Sequence, residues 1–245
     1  GCVAPSGHHR KRRREEAVDT LDDQQSERGP VDDPDPGIQV FSSPSDAPRV
    51  RWRSDLISAG LSTALLGFLM LVAGDGSTLD DNTLVFIGTL PGWLLWLAQA
   101  AYAVGVLYAF GLLIGVGLFA RHRLELLRDM ILAALLAAAI VVVLTNLIDN
   151  RWPEFAFFDL QQPRETFPAF SMTSAAAIQA AASPHLTAPM RKLGWTFILA
   201  AVGAAIIGGV TTVSDVLGGL LVGLIAAALI RYVFGTSAGL PSTNR

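Results

Sequence analysis

Cysteine, histidine and charge are what this chain of 245 residues is short of. Its one cysteine, Cys2, cannot close an internal disulfide, which excludes a disulfide scaffold and leaves the redox compartment unread. Nor is Cys2 expected to carry a lipoprotein anchor, because lipobox cleavage would remove Gly1 and no apolar signal segment precedes it. Gly1 is not an initiator methionine, and a processed chain and a fragment are both compatible with it. The four histidines form no HExxH and no metal-ligand spacing, and no glycine loop of the phosphate-binding type occurs; neither a metal nor a cofactor is expected. Charged residues make up 16% of the chain, against about 25% in an ordinary soluble domain. They are also unevenly spread. Residues 1–53 hold 19 of the 39, and the 181 positions from 54 to 234 share another 19. A polar tail therefore precedes a body too apolar to dissolve, which argues against a water-soluble enzyme and against a nucleic-acid partner.

Residues 1–48 read as a disordered cytoplasmic tail. The basic run His8–Arg14 is followed by Glu15, Glu16, Asp19, Asp22, Asp23 and Glu27, then by a Pro/Asp stretch with almost nothing to bury. Such a basic run is expected to be solvated, with anionic lipid as its main alternative contact.

What the body has in abundance is long apolar runs. Six are read as membrane spans, near 54–73, 93–119, 128–148, 168–183, 193–210 and 214–233, each judged against the roughly 20 residues needed to cross a bilayer core. The fold class expected is all-α, an integral membrane six-helix bundle over 49–235, with 236–245 as a linker or tail. The fourth run is short and polar, with Ser171, Thr173, Ser174, Gln179 and Ser183, and belongs inside the bundle, where neighbouring helices satisfy such groups. With the N-terminus inside, 16 of the 18 Lys and Arg residues fall on the cytoplasmic side and only Arg151 and Arg164 on the other. This positive-inside pattern places both termini in the cytoplasm of a multi-pass cell-membrane protein. Gly111/Gly115 and Gly219/Gly223 each make a GxxxG, the spacing that lets helix backbones approach closely.

Site chemistry is sparse. Asp80 and Asp81 have no histidine beside them. His122 and His185 read as interfacial turn residues, and Trp93, Trp96 and Trp152 as interfacial anchors. Asp215 opens the sixth span, where a carboxylate serves as an ordinary helix cap. Yet Asp215 also sits in a suggestive run, with Gly209 before it and Ser214, Val216 and Leu217 around it. Phe167-Pro168 lies upstream, and Arg151-Trp152-Pro153 further upstream.

In this pattern the chain resembles the PAP2-type (type 2 phosphatidic acid phosphatase) membrane domain, whose motifs are KxxxxxxRP, PSGH and SRxxxxxHxxxD. The resemblance covers mainly Phe167–Phe234 and implies a helical bundle with a reaction centre at one membrane face. The departures bear on the chemistry. Ser171 stands at the histidine of the second motif and Thr211 at that of the third, Ala204 and Ala205 replace the SR pair, and Leu144 takes the lysine position. In the family one histidine attacks phosphorus, a second protonates the leaving oxygen, and Lys and Arg neutralise the phosphate. With Arg151, Pro153, Pro168, Ser171, Thr211 and Asp215 as remnants of the motifs, no catalytic residue is assigned, and Arg151 and Arg164 are the candidate phosphate ligands. The ending Val233–Thr243 is similar to the linker that leaves the degenerate PAP2-like first segment of actinobacterial-type multidomain membrane proteins related to lysylphosphatidylglycerol synthase/flippase.

The resulting expectation is a non-catalytic PAP2-like membrane protein that binds a lipid or isoprenoid phosphate or serves as an assembly module in cell-envelope lipid handling. The alternatives are a lipid phosphate phosphatase with an altered site, and a lipid transporter subunit whose path is lined by Ser171, Thr173, Ser174 and Gln179. The expected partners are membrane lipids and, for an assembly module, other membrane proteins of lipid or cell-wall metabolism. The oligomeric state is left open.

Overall fold

The structure, a computed structural model, describes residues 41, 51, 53–73, 85–119, 124–149 and 167–235. The expected tail up to residue 40, the loop residues Asp75, Asp80, Asp81, Arg151, Trp152, Pro153 and Arg164, His122, and the linker 236–245 lie outside the described residues. Among the described residues six long helices make up the body: α1 Arg53–Ala73, α2 Gly92–Phe119, α3 Leu124–Asp149, α4 Phe170–Ala182, α5 Ala188–Ile207 and α6 Val213–Phe234. The class is the expected all-α bundle.

Five of the six are long and apolar enough to cross a membrane; α4 is not. Its 13 residues rise about 20 Å, short of a hydrocarbon core of about 30 Å. Its composition explains why it need not meet lipid. Every residue from Ser171 to Ala182 is buried, and α2, α3, α5 and α6 all pack against it. The alanine runs 175–177 and 180–182 let those neighbours come close, as small residues do at membrane helix interfaces.

Glycine on α6 has the same purpose. A Cβ on Gly219 would stand 2.7 Å from the Ala169 carbonyl oxygen, and one on Gly223 would stand 2.6 Å from that of Thr173. The second GxxxG is thus the seam between α6 and α4. The first meets no neighbour among the described residues, because Gly111 and Gly115 have open space where a Cβ would be.

Large apolar side chains cover the outside. Leu61, Phe68 and Leu71 on α1, Ile114 and Leu118 on α2 and Leu147 on α3 are all exposed. In water that surface would aggregate, whereas in lipid tails it is simply solvated. Trp93 and Trp96 are likewise exposed, within the first turns of α2. The protein is a multi-pass membrane protein.

Hydrogen bonds define two ends of the bundle. At one, Arg231 Nε bonds Asp55 Oδ1 at 3.1 Å and its Nη1 bonds the Ala180 carbonyl at 2.6 Å. Arg51 Nη2 reaches the Val233 carbonyl at 3.0 Å, and Arg128 lies over the Phe234 ring at 4.7 Å. At the other end, Gln99 Nε2 donates to the Gly208 carbonyl at 3.2 Å and the Ala169 N–H donates to the Asp215 carbonyl at 3.1 Å. α4 runs between these ends with the polarity of a full span, so the short helix completes the up-and-down order.

Candidate functional site

The expected site residues that the structure describes collect at the second end. Three turns bring them there. The first closes α5. Gly208 N–H bonds the Ala204 carbonyl, and Val210 N–H reaches back to that of Ala205 at 3.0 Å. Between them Gly209 holds φ +64°, a left-handed conformation that only glycine adopts cheaply. That stop aims Thr211 and Thr212 at the start of α6. Gly209, quoted above as a pattern residue, thus has a backbone duty.

The second turn starts α6. Thr212 is the N-cap: its Oγ1 accepts from the Asp215 N–H at 3.2 Å and lies 3.0 Å from Ser214 Oγ. Asp215 is therefore not the cap, as its position had suggested, but the third residue of a capping-box-like start. Its carboxylate is then available to accept from Thr211 Oγ1, 3.4 Å from its Oδ2. The helix dipole favours a negative charge in that first turn.

The third turn enters α4. The Phe167-Pro168 peptide bond is cis and Pro168 is buried. Thr145 on α3 donates to the Phe167 carbonyl at 3.2 Å, and Thr173 Oγ1 donates to that of Ala169 at 2.7 Å. The Phe167 ring covers Gly218, where a Cβ would stand 2.5 Å from it. Ser171 is buried and hydrogen-bonded to the Tyr102 hydroxyl of α2.

The structure thus brings Pro168, Ser171, Thr211 and Asp215 to one end through the Ala169–Asp215 backbone bond. Arg151, Pro153 and Arg164 lie outside the described residues. Tyr102, Gln99 and Thr145 were not anticipated. A signal existed for Tyr102, since a phenol inside an apolar span needs a hydrogen-bonding partner. Thr145 is the neighbour of Leu144, which the sequence resemblance sets at the family's lysine position.

Chemically, the described side chains at this end are hydroxyls (Tyr102, Thr145, Ser171, Thr211, Thr212, Ser214) together with the Asp215 carboxylate, which Thr211 engages directly while the Asp215 N–H donates to the Thr212 cap. Among the described residues the only histidine is His185, at the far end of α4. It lies in a turn, as expected, and is buried there. The described basic side chains, Arg51, Arg53, Arg128, Arg191, Lys192 and Arg231, also lie at that far end.

Comparison with solved structures finds the same arrangement of helices elsewhere. A PAP2-type phosphatidylglycerolphosphate phosphatase from Bacillus subtilis matches with a TM-score of 0.54 and 20% identity, over 73% of this chain and 94% of that one. The two proteins share a fold. Aquifex aeolicus LpxE matches with a TM-score of 0.48 and 22% identity, over 61% of this chain and 92% of its own. No family model matches the chain, and no curated protein does. The PAP2-type membrane fold implied by the motif remnants is therefore the fold observed.

Proposed function

We propose that this is a non-catalytic PAP2-fold membrane protein that binds a lipid or isoprenoid phosphate or serves as an assembly module in cell-envelope lipid handling. The observation that carries this reading is the pair Ser171 and Thr211. They stand where the family motifs have imidazoles, and each hydroxyl is engaged, one with Tyr102 and the other with Asp215. An alcohol at those positions is neither the nucleophile nor the proton donor that an imidazole is near neutral pH. The solved neighbour of the same fold is a phosphatidylglycerolphosphate phosphatase, which supports a phosphorylated lipid as the ligand class. Arg151 and Arg164 are the phosphate ligands in this proposal. The basic side chains gathered at the opposite end support a cytoplasmic location for that end, and so for both termini, in the cell membrane. The kinship with the first segment of actinobacterial-type lysylphosphatidylglycerol synthase/flippase proteins belongs to the same proposal.

One contact favours a second reading, a phosphatase rebuilt around threonine. The Asp215 carboxylate accepts from Thr211 Oγ1 and is placed to take its proton. Phosphate release by purified protein from phosphatidate, phosphatidylglycerolphosphate and undecaprenyl pyrophosphate separates the two. The expected result is release no greater than from a mock membrane preparation. Release that disappears in both Thr211→Ala and Asp215→Asn establishes the rebuilt phosphatase instead. For the binding reading, the double change Arg151→Ala and Arg164→Ala is expected to lower retention of a labelled lipid phosphate; unchanged retention removes the arginines from the site.

A further inference from the structure

Cations gather at the end of the bundle away from the motif residues, and three of the described ones are engaged. Arg231 pairs with Asp55, Arg128 pairs with Asp129 at 3.0 Å and lies over the Phe234 ring, and Arg51 reaches the Val233 carbonyl. Arg191 and Lys192, the fourth and fifth residues of α5, differ. Both are exposed, and neither side chain has a hydrogen bond or ion pair among the described residues. Arg53 is exposed too, but Asp55 shares the first turn of α1 with it. The first turn of α5 holds no acidic residue.

The side chains further along α5 fix the depth of these two cations. Trp195, one turn on from Arg191, donates from Nε1 to Ser183 Oγ at 3.0 Å, which holds an indole at the level such rings favour at a membrane interface. Leu199 is seven residues beyond Lys192 and so shares its helix face; it is 58% exposed, and Ala200 beside it is exposed as well. α5 therefore presents one uncovered strip, with two cations at its start and apolar side chains below them. A phospholipid with an anionic headgroup meets both parts at once. A zwitterionic headgroup brings a cation of its own and offers no net charge in exchange. Near the positive end of the α5 dipole, an anion also relieves the repulsion that the two cations feel there.

We propose that the start of α5 is a docking face for an anionic phospholipid, with the phosphate against Arg191 and Lys192 and the chains along Leu199 and Ala200. The occupant belongs to the leaflet at this end of the bundle, so it is distinct from any ligand at the motif end. Each Lys or Arg near a membrane surface favours an anionic lipid about fivefold. Two unpaired cations side by side are enough to enrich such a lipid over a neutral one.

Lipids brominated in the middle of their chains quench a fluorophore only at short range, and they test this on the full chain. A bimane is attached through Ala200→Cys in a Cys2→Ser background, eight residues and about 12 Å along α5 from Lys192. A second protein carries it through Leu97→Cys, exposed on α2 near the motif end. Both are reconstituted in vesicles of phosphatidylcholine and phosphatidylglycerol, with either lipid brominated. At the α5 position, brominated phosphatidylglycerol is expected to quench as though enriched about fivefold or more over its share of the bilayer. At the α2 position it should quench in proportion to that share. Arg191→Gln together with Lys192→Gln, both at exposed sites, should abolish the enrichment on α5. No enrichment there overturns the proposal, and so does equal enrichment on α2. Enrichment that survives the double change overturns it as well, because the two cations then do not hold the lipid.

Discussion

At the scale of single residues, space and pairing decide which positions are sensitive. Gly223 and Gly111 both belong to GxxxG patterns, but only the first faces another helix. Gly223→Leu is expected to force α6 off α4 and cost about 1–3 kcal/mol, the usual range for overpacking. Gly111→Leu, with open space around it, should stay within about 0.5 kcal/mol of the parent. Thermal unfolding in detergent distinguishes them, and equal losses would mean that the α4–α6 seam is misplaced. The sequence displays the two motifs alike, because spacing tells which glycines share a helix face and not which face meets a neighbour. His185 teaches the same lesson: the sequence places it in a turn, and only packing shows that the turn is buried.

At the scale of elements, α4 is the informative one. Its polar residues argued for a place inside the bundle, and the structure puts it there with Ser171 and Thr173 hydrogen-bonded. Its length was overestimated, since 168–183 includes the Pro168-Ala169 entry and the Ser183 exit that are not helical. The Tyr102–Ser171 bond ties α2 to α4 and is open to a double-mutant cycle. Tyr102→Phe and Ser171→Ala are each expected to cost about 1 kcal/mol, because each removes one end of a buried hydrogen bond. The coupling between them should be near 0.6 kcal/mol, the average for hydrogen bonds between membrane helices. Strict additivity would show that the two hydroxyls act separately. The partner on α2 was not legible beforehand, because Tyr102 and Ser171 are 69 positions apart in the chain.

At the scale of the whole molecule, the first and last helices are locked together. Arg231 bonds Asp55 and the Ala180 carbonyl, so a single side chain holds α1, α4 and α6. Both charged side chains retain slight exposure, 16% for Arg231 and 14% for Asp55. Arg231→Ala is accordingly expected to cost about 2 kcal/mol, below the roughly 3–5 kcal/mol of a fully buried pair. A melting temperature unchanged by the substitution would assign the pair no role in closing the bundle. The same end is proposed to face the cytoplasm. In a Cys2→Ser background, cysteines at Ser54 and at Ser237 should both resist a membrane-impermeant maleimide in intact cells and react after lysis. Labelling of either one before lysis would reverse that end of the topology.

The sequence alone determined the class and order of this fold. Apolar run length, the scarcity of charge beyond residue 53 and the turn signals are local properties, and a bilayer converts them directly into helices and spans. The residues that carry the resemblance, Phe167-Pro168 and the run from Gly209 to Leu217, also lay in the sequence. Only the tertiary structure decided that α4 is a buried rod rather than a full span, that Thr212 rather than Asp215 caps α6, and that Tyr102 engages Ser171. These facts depend on which surfaces meet after the helices pack, and contacts between residues far apart in the chain leave no periodic trace along it.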